Sequence, residues 1–276
     1  MSAIVVWSAA LSAVIAIAAT MAIERWGGRI GGLLATLPTT IVPASLGILA
    51  ESTSDPDFRL AMYAVPVGMF VDALFLWTWR VVPGWLPAGR IHLRLGLMLT
   101  IALAVWAVCA GVGMAVLSQM PSRGVFAVTV ALGIAIFGVF SCWAAPPAPS
   151  ATSGVGVPAL LGRGALAAGA IGFAVWLASF GNPLLAGMAS VFPAIFLTTM
   201  VSLWLAQGES VPVGAVGPMI LGSTSVAVYA LVAAWAMPAL GAMPGAAVAW
   251  AAAVLGASTP AAIWLRSRGG RVSRED

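Results

Sequence analysis

The chain carries very little charge. Only 7% of its 276 residues are Asp, Glu, Lys or Arg, against about a quarter in an average soluble domain, and there is no lysine at all. So few charges do not cover a water-exposed surface. Lipid-facing surface needs none, and 62% of the residues are hydrophobic, so the bilayer is the natural solvent. Histidine occurs once, as His92, and cysteine twice, as Cys109 and Cys142 inside apolar runs. That is too little for a structural metal centre or a disulfide framework, and the cysteines read as small buried residues. His92 reads as a solvated loop residue, and as the single histidine it stands alone, which leaves no Ser-His-Asp candidate. There is no HExxH and no glycine-rich phosphate loop following a strand. The chain therefore reads as a non-enzyme without cofactor or metal. Its net charge of +4 does not imply nucleic acid, because the arginines are scattered between apolar runs rather than gathered with aromatics.

What is present is a series of long apolar runs. A helix needs about 17–25 such residues to cross a bilayer. Nine stretches qualify: 3–22, 30–50, 59–79, 95–117, 125–143, 163–180, 184–206, 217–238 and 245–265. They do not alternate as lipid-facing barrel strands do, so the expectation is a polytopic all-α membrane protein of about nine transmembrane helices. With the N-terminus outside, Arg25, Arg29, Arg80, Arg90, Arg94, Arg163, Arg266, Arg268, Arg271 and Arg274 fall inside, and only Arg59 and Arg123 outside. This bias predicts N-out, C-in insertion in an inner (plasma) membrane. Charges follow the first run instead of preceding it, which argues against a cleaved leader. Trp26, Trp77, Trp79, Trp143, Trp204 and Trp264 fall near the ends of runs, as interfacial anchors would.

The runs repeat. Gly32-Leu33-Leu34-Ala35-Thr36-Leu37-Pro38 in span two corresponds to Gly187-Met188-Ala189-Ser190-Val191-Phe192-Pro193 in span seven, at an offset of 155. Turn-like residues precede each, Trp26-Gly27-Gly28 and Phe180-Gly181-Asn182-Pro183. Pro66 pairs with Pro218 at an offset of 152, and spans four and nine are offset by about 150. The copies lie five spans apart, an odd number, so they enter the membrane from opposite sides. The expected organisation is a first four-helix repeat over 1–118, a linker helix with a Pro/Ala/Ser-rich loop over 119–162, a second inverted four-helix repeat over 163–265, and a basic cytoplasmic tail over 266–276. Inverted repeats are a recurrent transporter plan.

The stretch Ile30-Gly31-Gly32-Leu33-Leu34-Ala35-Thr36-Leu37-Pro38-Thr39-Thr40, and again Leu185-Ala186-Gly187 through Phe192-Pro193, resembles the small GlpM-like inner-membrane proteins. The chain looks like two such units fused with span five between them. The second copy has Ala194 where the first has Thr39. The resemblance implies a membrane protein and supplies no catalytic residues.

A proline inside a span frees backbone carbonyls that neighbouring hydroxyls can satisfy. Pro38 has Thr36, Thr39, Thr40 and Ser45 nearby, and Pro193 has Ser190, Thr198, Thr199 and Ser202. If spans two and seven cross at midplane, these hydroxyls are candidate ligands for a substrate or ion; otherwise they cap their own kinked helices. Asp72 is the one carboxylate well inside a span, where a charge costs about 2.5 kcal/mol or more. Its counterpart at offset 152 is Thr224, flanked by Ser223 and Ser225. Asp72 suits proton or cation coupling; the plainer alternative is that it reaches toward Arg80. The expected function is a secondary transporter or permease for a small solute or ion, with a passive channel or a non-transporting scaffold of envelope biosynthesis as the alternatives. Partners are the lipid bilayer and an unidentified small solute or ion. Small-residue faces such as Gly111-Val112-Gly113 leave room for a homo-oligomer.

Overall fold

The structure, a computed structural model, describes residues 3–34, 37–143, 157–208 and 210–272. Eleven α-helices follow one another: α1 (Ala3–Leu34), α2 (Ile41–Glu51), α3 (Asp55–Val81), α4 (Ile91–Gln119), α5 (Arg123–Trp143), α6 (Val157–Ser179), α7 (Pro183–Ala189), α8 (Ala194–Gln207), α9 (Ser210–Leu240), α10 (Ala242–Ala253) and α11 (Thr259–Val272). A 3-10 turn, Val82–Trp85, extends α3, and a π-helical turn, Val254–Ser258, joins α10 to α11. No strand occurs among the described residues. Six helical stretches are long and apolar enough to span a bilayer: Asp55–Trp85, Ile91–Gln119, Arg123–Trp143, Pro183–Leu205, Gly214–Leu240 and Ala242–Ser267. Three shorter apolar helices, Ala3–Ala18, Ile41–Glu51 and Gly164–Ser179, accompany them. This is a multi-pass, all-α membrane protein.

Local sequence explains where the helices begin. Ser54 accepts the Asp57 amide at 3.3 Å and donates its hydroxyl to the Asp57 carboxylate at 2.7 Å, a reciprocal cap. Pro56 occupies the first turn of α3, where a missing N–H costs nothing. Gly181 takes φ +69, which reverses the chain after α6. Asn182 then caps α7 by accepting the Leu185 amide. Gly241, at φ +91, is the whole connection between α9 and α10.

The centre of the molecule is the pair α3 and α9, which pack along each other. Helix α5 lies against both, α4 flanks α3, and α10 flanks α9. A second pair, α1 and α6, packs side by side and carries the short helices α2 and α7. Small residues let the backbones meet. A Cβ added at Gly138 of α5 would come within 2.6 Å of the Leu221 Cα of α9. One at Gly245 of α10 would run into the Met237 backbone of α9.

Several boundaries differ from the expectation. Gly27-Gly28 makes no turn; α1 continues through it to Leu34, because good helix formers flank the glycines and each glycine costs only about 1 kcal/mol. Span two is accordingly divided, its start belonging to α1 and its remainder forming the 11-residue α2. Helix α6 begins at Val157, inside the stretch assigned to the linker, since Pro158 is tolerated in a first turn. The tail begins as helix, α11 running to Val272. Trp79 and Trp204 are not interfacial anchors. Both are fully buried, edge to face with centroids 5.8 Å apart. Trp143 is exposed and meets Trp264 at 6.5 Å, as an anchor pair would.

Candidate functional site

Proline breaks one span as the sequence suggests. Helix α7 stops at Ala189, and Pro193 caps α8 with φ −73 and ψ 38, outside helical geometry. Residues Ser190 to Phe192 keep short bonds back into α7: Ser190 N–H donates to Ala186 O at 3.0 Å, Val191 to Met188 O at 3.3 Å and Phe192 to Ala189 O at 3.1 Å. Pro38 likewise sits in a non-helical stretch before α2, where the Thr39 amide turns back to Leu37 O at 2.9 Å. Both prolines are buried. Thr36 lies outside the described residues, and of Gly32 only the helical backbone is described.

The two breaks do not meet. Helix α2 packs on α6 and α1, whereas α7 packs on α3 and α6. In place of a crossing of spans two and seven, α2 sits chiefly on the α1–α6 pair and α7 on α3 and α6. The second break sits against α3. A Cβ at Gly187 would strike the Ala61 carbonyl, and Gly68 of α3 lies directly under Val191 and Met188. The first half is tied to α9 instead. The buried Ser45 hydroxyl of α2 lies 2.7 Å from the Tyr229 hydroxyl of α9. Since Ser45 also donates to Val42 O at 2.9 Å, the tyrosine O–H is the donor between them.

Asp72 stands one helical turn beyond Gly68 and is 1% exposed. Its carboxylate Oδ1 accepts the Trp106 indole N–H of α4 at 2.8 Å. The Trp106 ring in turn meets Phe192, the residue before Pro193, at 5.2 Å and 78°. A buried carboxylate, an indole and the second break thus form one contiguous chain across α3, α4 and the α7–α8 junction. Arg80, the expected alternative partner, donates to Ser141 O at 2.8 Å and lies over Trp77. Trp106 was not among the expected site residues. The signal for it was position: a tryptophan at the middle of an apolar run, away from the interfacial belt, needs a buried acceptor for its N–H.

Most candidate hydroxyls are engaged with their own helices. Ser190 donates to Gly187 O at 2.7 Å, Thr198 to Ala194 O at 2.9 Å, Ser202 to Thr198 O at 2.7 Å, Ser223 to Ile220 O at 2.7 Å and Ser225 to Gly222 O at 2.8 Å. Thr39, Thr40 and Thr199 are half-buried, and Thr40 precedes α2 without capping it. Thr224 is the exception, for its Oγ1 is buried with no partner. It lines an open groove of about 480 Å³ with exposed walls at Val128 and Leu132, which lies not between the breaks but among α5, α9 and α11. Four more polar side-chain atoms among the described residues are buried without a hydrogen-bond partner: the indole nitrogens of Trp79 and Trp204, Arg59 Nε and Ser141 Oγ.

No protein-family model matches this chain, and no curated protein or solved structure is significantly similar to it. Among the described residues no three His, Cys, Asp or Glu side chains gather as a metal site would require.

Proposed function

We propose that the protein is a secondary transporter or permease for a small solute or ion, built from two inverted repeats and coupled through Asp72. The observation that carries this reading is the buried Asp72 carboxylate, held by Trp106 and joined through Phe192 to the break at Pro193. A carboxylate at membrane depth is expensive, and such residues mark proton or ion pathways when they are retained. Here any change in the protonation or occupancy of Asp72 reaches Trp106 and, through its ring, Phe192 at the α7–α8 junction. Helix junctions that end in unwound backbone are where transporters place substrates.

The packing supports the repeat. Span one against span six, and span three against span eight, are each pairs that an in-plane two-fold axis maps onto themselves. Span four on span three corresponds to span nine on span eight, and span five touches both halves. On this reading the chain is nine spans, N-out and C-in, a fused pair of GlpM-like units in the inner membrane. Its binding residue on this reading is Asp72, beside the break at Pro193.

A non-transporting membrane scaffold is the second reading. It is favoured by the hydroxyls already bonded to their own helices and by the packed centre. Flux separates the two. Purified protein in proteoliposomes is challenged with a panel of small anions, cations and metabolites under pH steps. A transporter gives a substrate-dependent flux or current that Asp72→Asn abolishes or renders independent of pH. Folded wild-type protein that moves nothing, and that purifies with a stable partner, overturns the proposal in favour of the scaffold.

A further inference from the structure

Asp72 is surrounded by little that a metal ion could use. Among the described residues its carboxylate has one hydrogen bond, from the Trp106 indole N–H at 2.8 Å, and no ion pair. That donor turns its positive hydrogen toward the carboxylate, which opposes a metal cation at the same place. The oxygens of the neighbouring break are engaged. The Ser190 hydroxyl donates to Gly187 O, and the carbonyls of Ala186, Met188 and Ala189 each accept an amide of the break. Phe192 O accepts the Ala194 amide and Pro193 O the Leu197 amide, both at 2.7 Å. Calcium and magnesium take about six or more oxygens, and potassium filters replace the ion's water with rings of carbonyls. The packing is also tight. A methyl at Gly68, one turn from Asp72, would overlap Val191, and one at Gly113 of α4 would come within 2.7 Å of Val67.

Nor does a cationic side chain meet the carboxylate. Of the elements packed against α3, the helix α7 and the 3-10 turn carry no titratable or charged side chain. Helix α9 carries only Tyr229, whose hydroxyl is bonded to Ser45, and α2 only Glu51, its last residue. Helix α5 has Arg123 and Cys142 at its two ends, and α4 has His92 and Arg94 in its first turn. The Cys109 thiol of α4, three residues from Trp106, packs against the apolar cluster that holds Val71. On α3 itself Arg80 is turned to Ser141 O and Trp77.

We propose that Asp72 is a reversible proton-binding site, selective for the proton over metal cations, so that the ion coupled to solute movement is H+. A proton needs one lone pair and no shell of ligands, and it is the one cation that a lone carboxylate beside a single indole donor accommodates. Loading joins a proton from water to a carboxylate oxygen and removes one negative charge from the interior; unloading returns the proton to water and restores the charge. The indole N–H has an oxygen to donate to in both states, but its bond is stronger to the ionised one. Trp106, and Phe192 against it, therefore register which state is present. The coupling to a solute rests on the transporter reading above; the proton site does not.

The test is infrared difference spectroscopy of the full chain in phospholipid nanodiscs, between pH values at constant salt. The C=O stretch of a protonated carboxyl is expected to grow as the pH falls, to be missing from Asp72→Asn, and to shift in Trp106→Phe, which removes the hydrogen bond to that group. Exchanging choline chloride for sodium, potassium or magnesium chloride at constant pH is expected to leave the band unchanged. Where Asp72→Asn does not fold, Asp72→Glu keeps a carboxyl and must move the band. Absence of any carboxyl band that differs between wild type and the Asp72 variants overturns the proposal. So does a band of constant size at every pH at which the protein stays folded, since a proton that never leaves couples nothing. So does a band that one of the metal cations removes at constant pH, since that ion then competes for the carboxylate. The measurement involves no flux. A titrating band in protein that transports nothing keeps the proton site and overturns the transporter reading alone, and solute flux without a titrating band does the reverse.

Discussion

Replacing Trp106 with phenylalanine tests the link between α4 and the buried carboxylate. The variant keeps an aromatic ring near Phe192 and removes the N–H that Asp72 accepts at 2.8 Å. Because Asp72 is 1% exposed, no water replaces the missing donor. A hydrogen bond to a charged group contributes about 1.5–3 kcal/mol, and a neutral one about 1 kcal/mol. Trp106→Phe is therefore expected to cost about 2–4 kcal/mol, which includes the smaller apolar surface that a phenyl ring buries in place of an indole. In an Asp72→Leu background no acceptor is left, so the same change removes no hydrogen bond, and the cost falls by roughly 1–2 kcal/mol. The assay is reversible unfolding in mixed micelles by SDS titration, followed by helical circular dichroism, for the wild type, both single variants and the double variant. Costs that add to within about 0.5 kcal/mol would mean the two side chains are uncoupled. That result would refute the chain of side chains from α3 to the α7–α8 junction on which the functional reading stands, whatever the flux experiments show.

Two further predictions probe the frame around the site. Gly187→Val places side-chain atoms against the Ala61 carbonyl and Ala64, and backbone there has no room to yield; a loss of about 1–3 kcal/mol is expected, and disulfide cross-linking of cysteines introduced on α7 and α3 should fall with it. Ser54→Ala removes both halves of the reciprocal cap on α3, the acceptor for the Asp57 amide and the donor to its carboxylate; a cost of about 0.5–2 kcal/mol is expected, seen as faster amide hydrogen exchange over the first turn of α3, whereas Ser54→Asn, which keeps an acceptor for that amide, should restore most of the protection.

How much of this was legible beforehand depends on how local the cause is. The break at Pro193 and the depth of Asp72 are each decided by a few adjacent residues and the solvent around them, and they can be read from spacing. The turn expected at Gly27-Gly28 failed because a glycine pair only weakens a helix; it needs a second signal, such as the Asn182-Pro183 that follows Gly181, to stop one. Trp79 and Trp204 look like interfacial residues in the chain, and only tertiary packing turns them toward each other. The partner of Asp72 lies 34 residues away on another helix, and no local pattern names it. The hydroxyls around Pro193 could be read either as ligands or as caps, and in this conformation Ser190, Thr198 and Ser202 spend their hydrogens on carbonyls of their own helical stretch.

The single-residue connection at Gly241 bears on how the protein is made. Helices α9 and α10 are joined without a loop, and the turn from Met237 to Ala247 contains no charged or hydrogen-bonding side chain. Nothing there resists passage through the hydrocarbon layer, and nothing needs to be carried across as a separate hydrophilic segment. With Gly245 seated on the Met237 backbone, the two helices are closed on each other as soon as both exist. Insertion of α9 and α10 together, as one hairpin, is the expected consequence.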